Sequence, residues 1–100
     1  MSNYINDSQQ RVLQIPFLLA GNELYGLSNA EIAKSMDKPH GMILRDLRNL
    51  KEAGVAEQID ETGNWRLTPH LVKVSFKLGQ SLSRAKGKIE EMENRFTRTV

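Results

Sequence analysis

One stretch, DKPHGMILRDLRNLKEAG from Asp37 to Gly54, limits the possible folds more than any other part of the chain. Its apolar residues recur at the i, i+4, i+7 spacing of a buried helical stripe and are Ile43, Leu47 and Leu50. Proline is favoured in the first turn of a helix and glycine just past its end, so Pro39 and Gly54 mark the two ends. The opposite face carries four residues that we expect to be exposed: Gly41, Arg45, Arg48 and Glu52.

Two further helices are predicted before this one. The first begins near Asp7 or Ser8, and Pro16 should kink or loosen it; its apolar residues are Val12, Ile15, Leu18 and Leu19. A short strand is possible at residues 25–27. The second helix begins at Asn29, since Ser28 and Glu31 match a capping box, and it ends by Asp37. Its apolar residues are Ala30, Ile32, Ala33 and Met36.

After Gly54 the apolar period changes from 3.6 to 2. Residues 55–59 and 65–67 alternate and flank a polar turn at residues 60–64, which predicts a β-hairpin. Thr68 and Pro69 can then cap and begin another helix. Three helices, a hairpin and a further helix indicate a mainly α winged helix-turn-helix, with the hairpin as the wing. We expect Trp65 to pack beneath the wing.

The C-terminal tail has a heptad pattern. Its apolar residues are spaced 4, 3, 4, 3 and 4 and are Leu78, Leu82, Ala85, Ile89, Met92 and Phe96. Such a narrow stripe is typical of a coiled coil, so we expect a winged domain over residues 1–77 and a dimerisation helix over residues 78–100. Pairing of Lys88 with Glu93 favours a parallel homodimer, although antiparallel pairing, or a single helix folded back on the domain, stays open.

Composition argues against catalysis. The chain has no cysteine, which excludes disulfides and thiolate metal sites and suggests a reducing cytoplasm. No apolar run approaches the roughly 20 residues of a membrane span, so we expect a soluble protein. His40 and His70 lack a local metal-ligand spacing, and no phosphate loop or nucleophile motif is present. We therefore expect neither an enzyme nor a metal or other cofactor.

The arginine face of the third helix instead suggests binding to the major groove of double-stranded DNA. The net charge of +2 is too small to decide this, but basic residues cluster at 34–51 and 65–88. Arg45 and Arg48 could read guanine, and Met42 could touch a thymine methyl. Further candidates, for phosphate contacts or on the wing, are Ser28, Asn29, Lys34, Lys38, His40, Gly41, Asn64 and Arg66. Because Asp60 and Glu61 lie at the wing tip, we expect the wing to contribute less than the helix.

The segments QRVLQIPFLLAG, GLSNAEIAKSM, KPHGMILRDLRNLKEAGVAE and TGNWRLTPHLVKVSFKLG resemble the N-terminal DNA-binding domain of IclR-type bacterial transcription regulators. The resemblance covers about residues 9–79 and implies a winged helix-turn-helix that binds DNA. It departs from the family at Gly41 and Met42, where the family usually has small hydroxyl residues, and at Asn64, where it usually has arginine. The family's effector-binding domain has no counterpart here, so no small-molecule effector is expected.

Together these features predict a small homodimeric transcriptional regulator that binds a palindromic site and acts as a repressor. Two other functions fit the same pattern. An accessory DNA-binding protein of a mobile element would act in replication, recombination or transposition. A winged-helix protein-interaction module would use the arginine face to bind an acidic protein surface.

Overall fold

The computed structural model of the protein describes residues 4–98. Four helices and one hairpin follow in the order α1 (Asp7–Leu19), α2 (Asn29–Met36), α3 (His40–Glu52), β1 (Ala56–Gln58), β2 (Trp65–Leu67) and α4 (Pro69–Thr97). The strands pair antiparallel, with Glu57 opposite Arg66. The chain divides between Thr68 and Pro69 into an N-terminal unit and a C-terminal unit. This architecture confirms the mainly α fold with a hairpin wing.

The core of the N-terminal unit is formed by the apolar stripes that the periodicity indicated. Every element from α1 to β2 contributes to it, and the buried residues are Ile15, Leu19, Ile32, Ala33, Ile43, Leu47, Leu50, Ala56 and Trp65. Burial of each large apolar side chain stabilises the fold by about 1.5 to 3 kcal/mol. Trp65 is 2% exposed and packs in this core, as predicted. Ala30, by contrast, is exposed.

The start of α1 differs from the prediction in its capping residue. Asn6, rather than Asp7 or Ser8, is the N-cap, and its side chain accepts a hydrogen bond from the backbone N–H of Gln9 at 3.1 Å. Asp7 is instead the first helical residue, where its negative charge is favourable beside the positive end of the helix dipole. The helix continues through Pro16 to Leu19.

The connection between α2 and α3 is short and its ends are well defined. The predicted capping box is present, since Ser28 Oγ accepts from the N–H of Glu31 and the N–H of Ser28 donates to the Glu31 carboxylate. Asp37 adopts the left-handed conformation, with a φ of 54°. Pro39 is the N-cap of α3 rather than its first residue, because its ψ of 145° is extended. The predicted glycine stop is confirmed at Gly54, which has a φ of 78°.

The hairpin is joined to the chain between α1 and α2. The predicted strand at residues 25–27 is reduced to one bridge, in which Leu27 and Trp65 exchange two backbone hydrogen bonds of 2.8 and 2.7 Å. Gly26 has a φ of 68° and lies against the carbonyl of Trp65. This left-handed residue turns the chain, which explains why the strand does not extend towards Tyr25.

The C-terminal unit consists of α4. This helix runs without interruption from Pro69 to Thr97, and its start agrees with the signal at Thr68 and Pro69. The dimerisation segment expected from residue 78 begins within it. None of its described residues is buried, and the large apolar residues of the heptad are 59–66% exposed. No helix within residues 4–98 is long and apolar enough to cross a membrane.

Candidate nucleic-acid interface

The outer face of α3 presents two arginines to solvent. Arg45 and Arg48 are both exposed, while Ile43 and Leu47 on the inner face are fully buried. Within residues 4–98 neither guanidinium makes a hydrogen bond or ion pair. Ten N–H donors, five on each guanidinium, are therefore available to an external acceptor.

The first turn of α3 is exposed and uncrowded. His40 and Gly41 are both exposed, and a Cβ atom added to Gly41 would meet nothing within 4 Å. Among residues 4–98 no side chain caps the N-terminus of the helix, so its first N–H groups have no side-chain acceptor there. Met42 is half-buried at the edge of this surface. Gly41, Arg45, Arg48 and Glu52, the four residues expected on the outer face of α3, are all exposed.

Side chains at the start of α2 have structural partners. The Ser28 hydroxyl is used in the capping box. Asn29 Nδ2 donates to the carbonyl oxygen of His40 at 3.2 Å, which links the N-termini of α2 and α3. The Asn29 Oδ1 atom is buried and has no partner among the described residues. Lys34 and Lys38 remain exposed.

The wing candidates are also engaged within the fold. Asn64 Nδ2 donates to the carbonyl of Tyr25 at 3.0 Å. Arg66 donates to a Glu57 carboxylate oxygen from Nε at 3.1 Å and from Nη2 at 3.0 Å. Since that carboxylate offsets its charge, the Arg66 guanidinium is less available to an external anion than those of Arg45 and Arg48.

The structure also contains an ion pair that the sequence pattern did not identify. Arg11 in α1 donates to Asp46 in α3, from Nε to Oδ2 at 2.5 Å and from Nη2 to Oδ1 at 3.0 Å. The two side chains are only 14% and 7% exposed. The hydrogen bond to Asp46 raises the pKa of Arg11 above its ordinary value. One signal was available, because Asp46 lies three residues after Ile43 and four before Leu50, which places it beside the apolar stripe of α3.

Metal coordination has no structural support in the part of the chain that is described. Across residues 4–98 no group of three or more histidine, cysteine, aspartate or glutamate side chains could hold a metal ion. His40 and His70 belong to different units.

Comparison with solved structures places the fold among winged helix-turn-helix proteins. An IclR family transcriptional regulator from Brucella abortus matches 78% of this chain and 29% of its own, with a TM-score of 0.66 and 19% sequence identity. A point mutant of ZitR from Lactococcus lactis matches 95% of this chain and 65% of its own, with a TM-score of 0.52 and 22% identity.

These likenesses confirm the fold that the resemblance to IclR-type domains implied. The chain spans less than a third of the Brucella abortus protein and about two thirds of ZitR. No protein-family model matches the sequence. No curated protein matches it either.

Proposed function

We propose that this protein binds double-stranded DNA sequence-specifically as a small homodimeric transcriptional regulator, and that it represses by occupying its operator. The observation that carries the proposal is that Arg45 and Arg48, on the second helix of a helix-turn-helix, are exposed and have no partner within residues 4–98. The buried face of α3 holds the helix against the core, while the arginine face is free to approach a ligand.

The dimensions of α3 suit the major groove. Its 13 residues make a rod about 20 Å long. The groove is about 12 Å wide, which admits one helix with its side chains. Each arginine can donate two hydrogen bonds to O6 and N7 of a guanine, and each good pair is worth about 1 to 3 kcal/mol of discrimination. We assign base reading to Arg45 and Arg48.

The remaining candidates would hold the helix on the DNA backbone. Lys38 and His40 precede or begin α3 and are exposed, so they can approach phosphates. Gly41 leaves room for a phosphate to come close to the helix backbone. Ser28 and Asn29 would act chiefly by fixing the helix ends, given their internal hydrogen bonds.

The exposed stripe of α4 supports the dimer. Leu78, Leu82, Ile89, Met92 and Phe96 are each about 60% exposed or more, a row of apolar surface that pairing would remove from water. A two-fold dimer would place two copies of α3 one turn of DNA apart, about 34 Å, and would therefore read a palindrome. The dimerisation role of these residues and of Ala85 stays a prediction.

Selection of bound duplexes from a random pool, followed by fluorescence anisotropy, tests base reading. Arg45→Ala and Arg48→Ala should each lower the ratio of selected-site to random-site affinity by about tenfold or more, which corresponds to one lost guanine contact. Arg84→Ala removes the same charge from α4 and serves as the matched control. If both α3 variants keep the wild-type ratio, the groove assignment is wrong.

Salt dependence provides a second measurement on the same samples. Each phosphate that the protein neutralises adds about 0.9 to the slope of log affinity against log salt concentration. A slope near zero for the wild type would contradict DNA binding. In that case, capture of an acidic protein by the Arg45 face would favour an interaction module.

Sedimentation equilibrium tests the dimer. Ile89→Asp places a charge in the centre of the apolar stripe and should yield monomers with weaker operator binding. Asn94→Asp adds the same charge on the opposite side of the helix and should remain dimeric. A monomeric wild type would refute the proposed assembly.

A further inference from the structure

The Arg11–Asp46 pair joins the second turn of α1 to the middle of α3. Asp46 is the seventh of the 13 residues of α3, next in sequence to Arg45. Both carboxylate oxygens accept hydrogen bonds from one guanidinium, so the contact is a two-point fork. A fork of this kind fixes direction as well as distance, because both planar groups must be coplanar to satisfy both bonds.

The other contacts that hold α3 are apolar packing in the core and one hydrogen bond at its first residue. Ile43, Leu47 and Leu50 pack against apolar neighbours, and apolar burial is not directional. The Asn29 side chain donates to the backbone carbonyl of His40, the first residue of α3. Within residues 4–98, Arg11 is the residue that forms side-chain to side-chain hydrogen bonds between α3 and another element.

We propose that Arg11 and Asp46 are positioning residues, whose buried fork fixes the rotation of α3 about its own axis and so aims Arg45 and Arg48 at the base edges. The proposal rests on the DNA-binding function proposed above. It adds that sequence discrimination depends on a contact on the far side of the helix from the DNA.

The geometry shows why rotation matters. The tip of an exposed side chain lies about 6 Å from a helix axis, so a rotation of about 20° moves it by about 2 Å. Binding groups must be held to about 0.5 Å and 10 to 20° to remain productive. A loosened α3 would therefore lose paired contacts to guanine, while contacts between long basic side chains and phosphates would persist.

The fork also neutralises a buried acidic charge on α3 itself. Asp46 is an acid on the helix that would face the phosphates, and Arg11 offsets it from within the protein. Arg45 and Arg48 are thereby left without an acidic partner among the described residues.

The double variant Arg11→Leu/Asp46→Leu separates positioning from stability. Replacement of a buried ion pair by apolar residues of similar volume is often neutral or stabilising. We expect a folded protein whose discrimination between selected and random duplex falls about tenfold, with an unchanged salt slope. Ile15→Val is the control, since it trims a fully buried α1 side chain yet leaves the fork intact, and it should keep the wild-type discrimination.

A distance measurement tests the same idea without DNA. The chain has no cysteine, so Gln9→Cys and Lys51→Cys place two spin labels on exposed sites of α1 and α3. In the double-leucine background the distance distribution should shift or broaden by about 2 Å, as the rotation estimate requires. If the double-leucine protein does not fold, Arg11→Lys carries the same expectations, because it keeps the charge and loses the fork.

The outcomes are distinct. A stable double-leucine variant that keeps the wild-type discrimination between selected and random duplex overturns the proposal, whatever the distance between the two spin labels. An unchanged distribution of that distance overturns it as well. If the wild type itself shows no DNA discrimination, the proposed function fails. The distance measurement then decides alone whether the fork orients α3.

Discussion

Replacement of Gly26 by alanine should weaken the attachment of the wing to the rest of the N-terminal unit. Gly26 has a φ of 68°, and a Cβ atom there would lie 2.6 Å from the carbonyl oxygen of Trp65. That oxygen accepts the backbone hydrogen bond of Leu27 at 2.8 Å, so it cannot move without disturbing the bridge. The substitution therefore combines backbone strain with a clash against main chain.

The magnitude follows from a matched comparison with Gly21. Gly21 also has positive φ, at 89°, but a Cβ atom there would meet nothing within 4 Å. The left-handed conformation lowers the free energy of unfolding of an alanine variant by about 1 to 2 kcal/mol. The reduced entropy of its unfolded chain raises that free energy by about 0.4 to 1 kcal/mol. Gly21→Ala should thus cost about 1 kcal/mol. Gly26→Ala should cost about 3 kcal/mol, because the two hydrogen bonds of the bridge add about 1 kcal/mol each.

Urea unfolding monitored by tryptophan fluorescence measures both variants. The chain has one tryptophan, Trp65, which is buried beside the altered contact and reports on its own surroundings. The m-value should stay constant, so that the midpoint alone gives the change in the free energy of unfolding. Equal losses in the two variants would refute the clash argument, since only strain would then be acting.

Three further outcomes are expected. Leu47→Ala empties a fully buried site on α3 and should lower the free energy of unfolding by about 3 to 5 kcal/mol in urea titrations; a loss below about 1 kcal/mol would mean that the core collapses into the space. The backbone N–H of Ser28 donates to the Glu31 carboxylate and holds the pKa of Glu31 below its ordinary value. The capping box therefore contributes its full stability above about pH 4.3, and this contribution is lost as the pH falls through the lowered pKa of Glu31 in the folded state. The stability difference between wild type and Glu31→Gln should accordingly shrink on acidification from pH 6 to pH 3, and a constant difference would contradict the assignment. Gly41→Ala has space for its methyl group and should raise the free energy of unfolding by up to about 1 kcal/mol, measured from the urea midpoint. The same variant should bind DNA more weakly, and unchanged affinity would show that no phosphate approaches this turn.

Local patterns predicted the elements of this fold well. The stripe of α3, the Ser28 capping box and the Gly54 stop each involve residues within a few positions of one another, and all three are present. Short-range spacing suffices for these features because a helix brings residues i, i+3 and i+4 together whatever the rest of the chain does. The predictions were wrong in detail at two helix starts, at Asn6 and Pro39, where the backbone conformation of one residue decides which residue is the cap. They were also wrong at residues 25–27, where the expected strand is a single bridge.

Local sequence patterns predicted only part of the candidate site. The exposure of Arg45 and Arg48 followed from the helical period. The engagement of Asn64 with Tyr25 did not, since those residues are far apart in sequence and meet only when the hairpin folds back. Arg66 was a candidate DNA contact on the wing, but the strand register places it opposite Glu57, to which it donates hydrogen bonds.

The sequence by itself determined the order of the helices, the hairpin and the residues of the core, because periodicity and caps are local properties of the chain. Only the tertiary structure decided which charges are free. Asp46 and Arg11 are separated by 35 positions, and nothing in the local pattern of either predicts that they meet. Their pairing depends on how α1 packs against α3, a long-range consequence of burying the shared core. Within residues 4–98 it leaves Arg45 and Arg48 exposed and without an acidic partner.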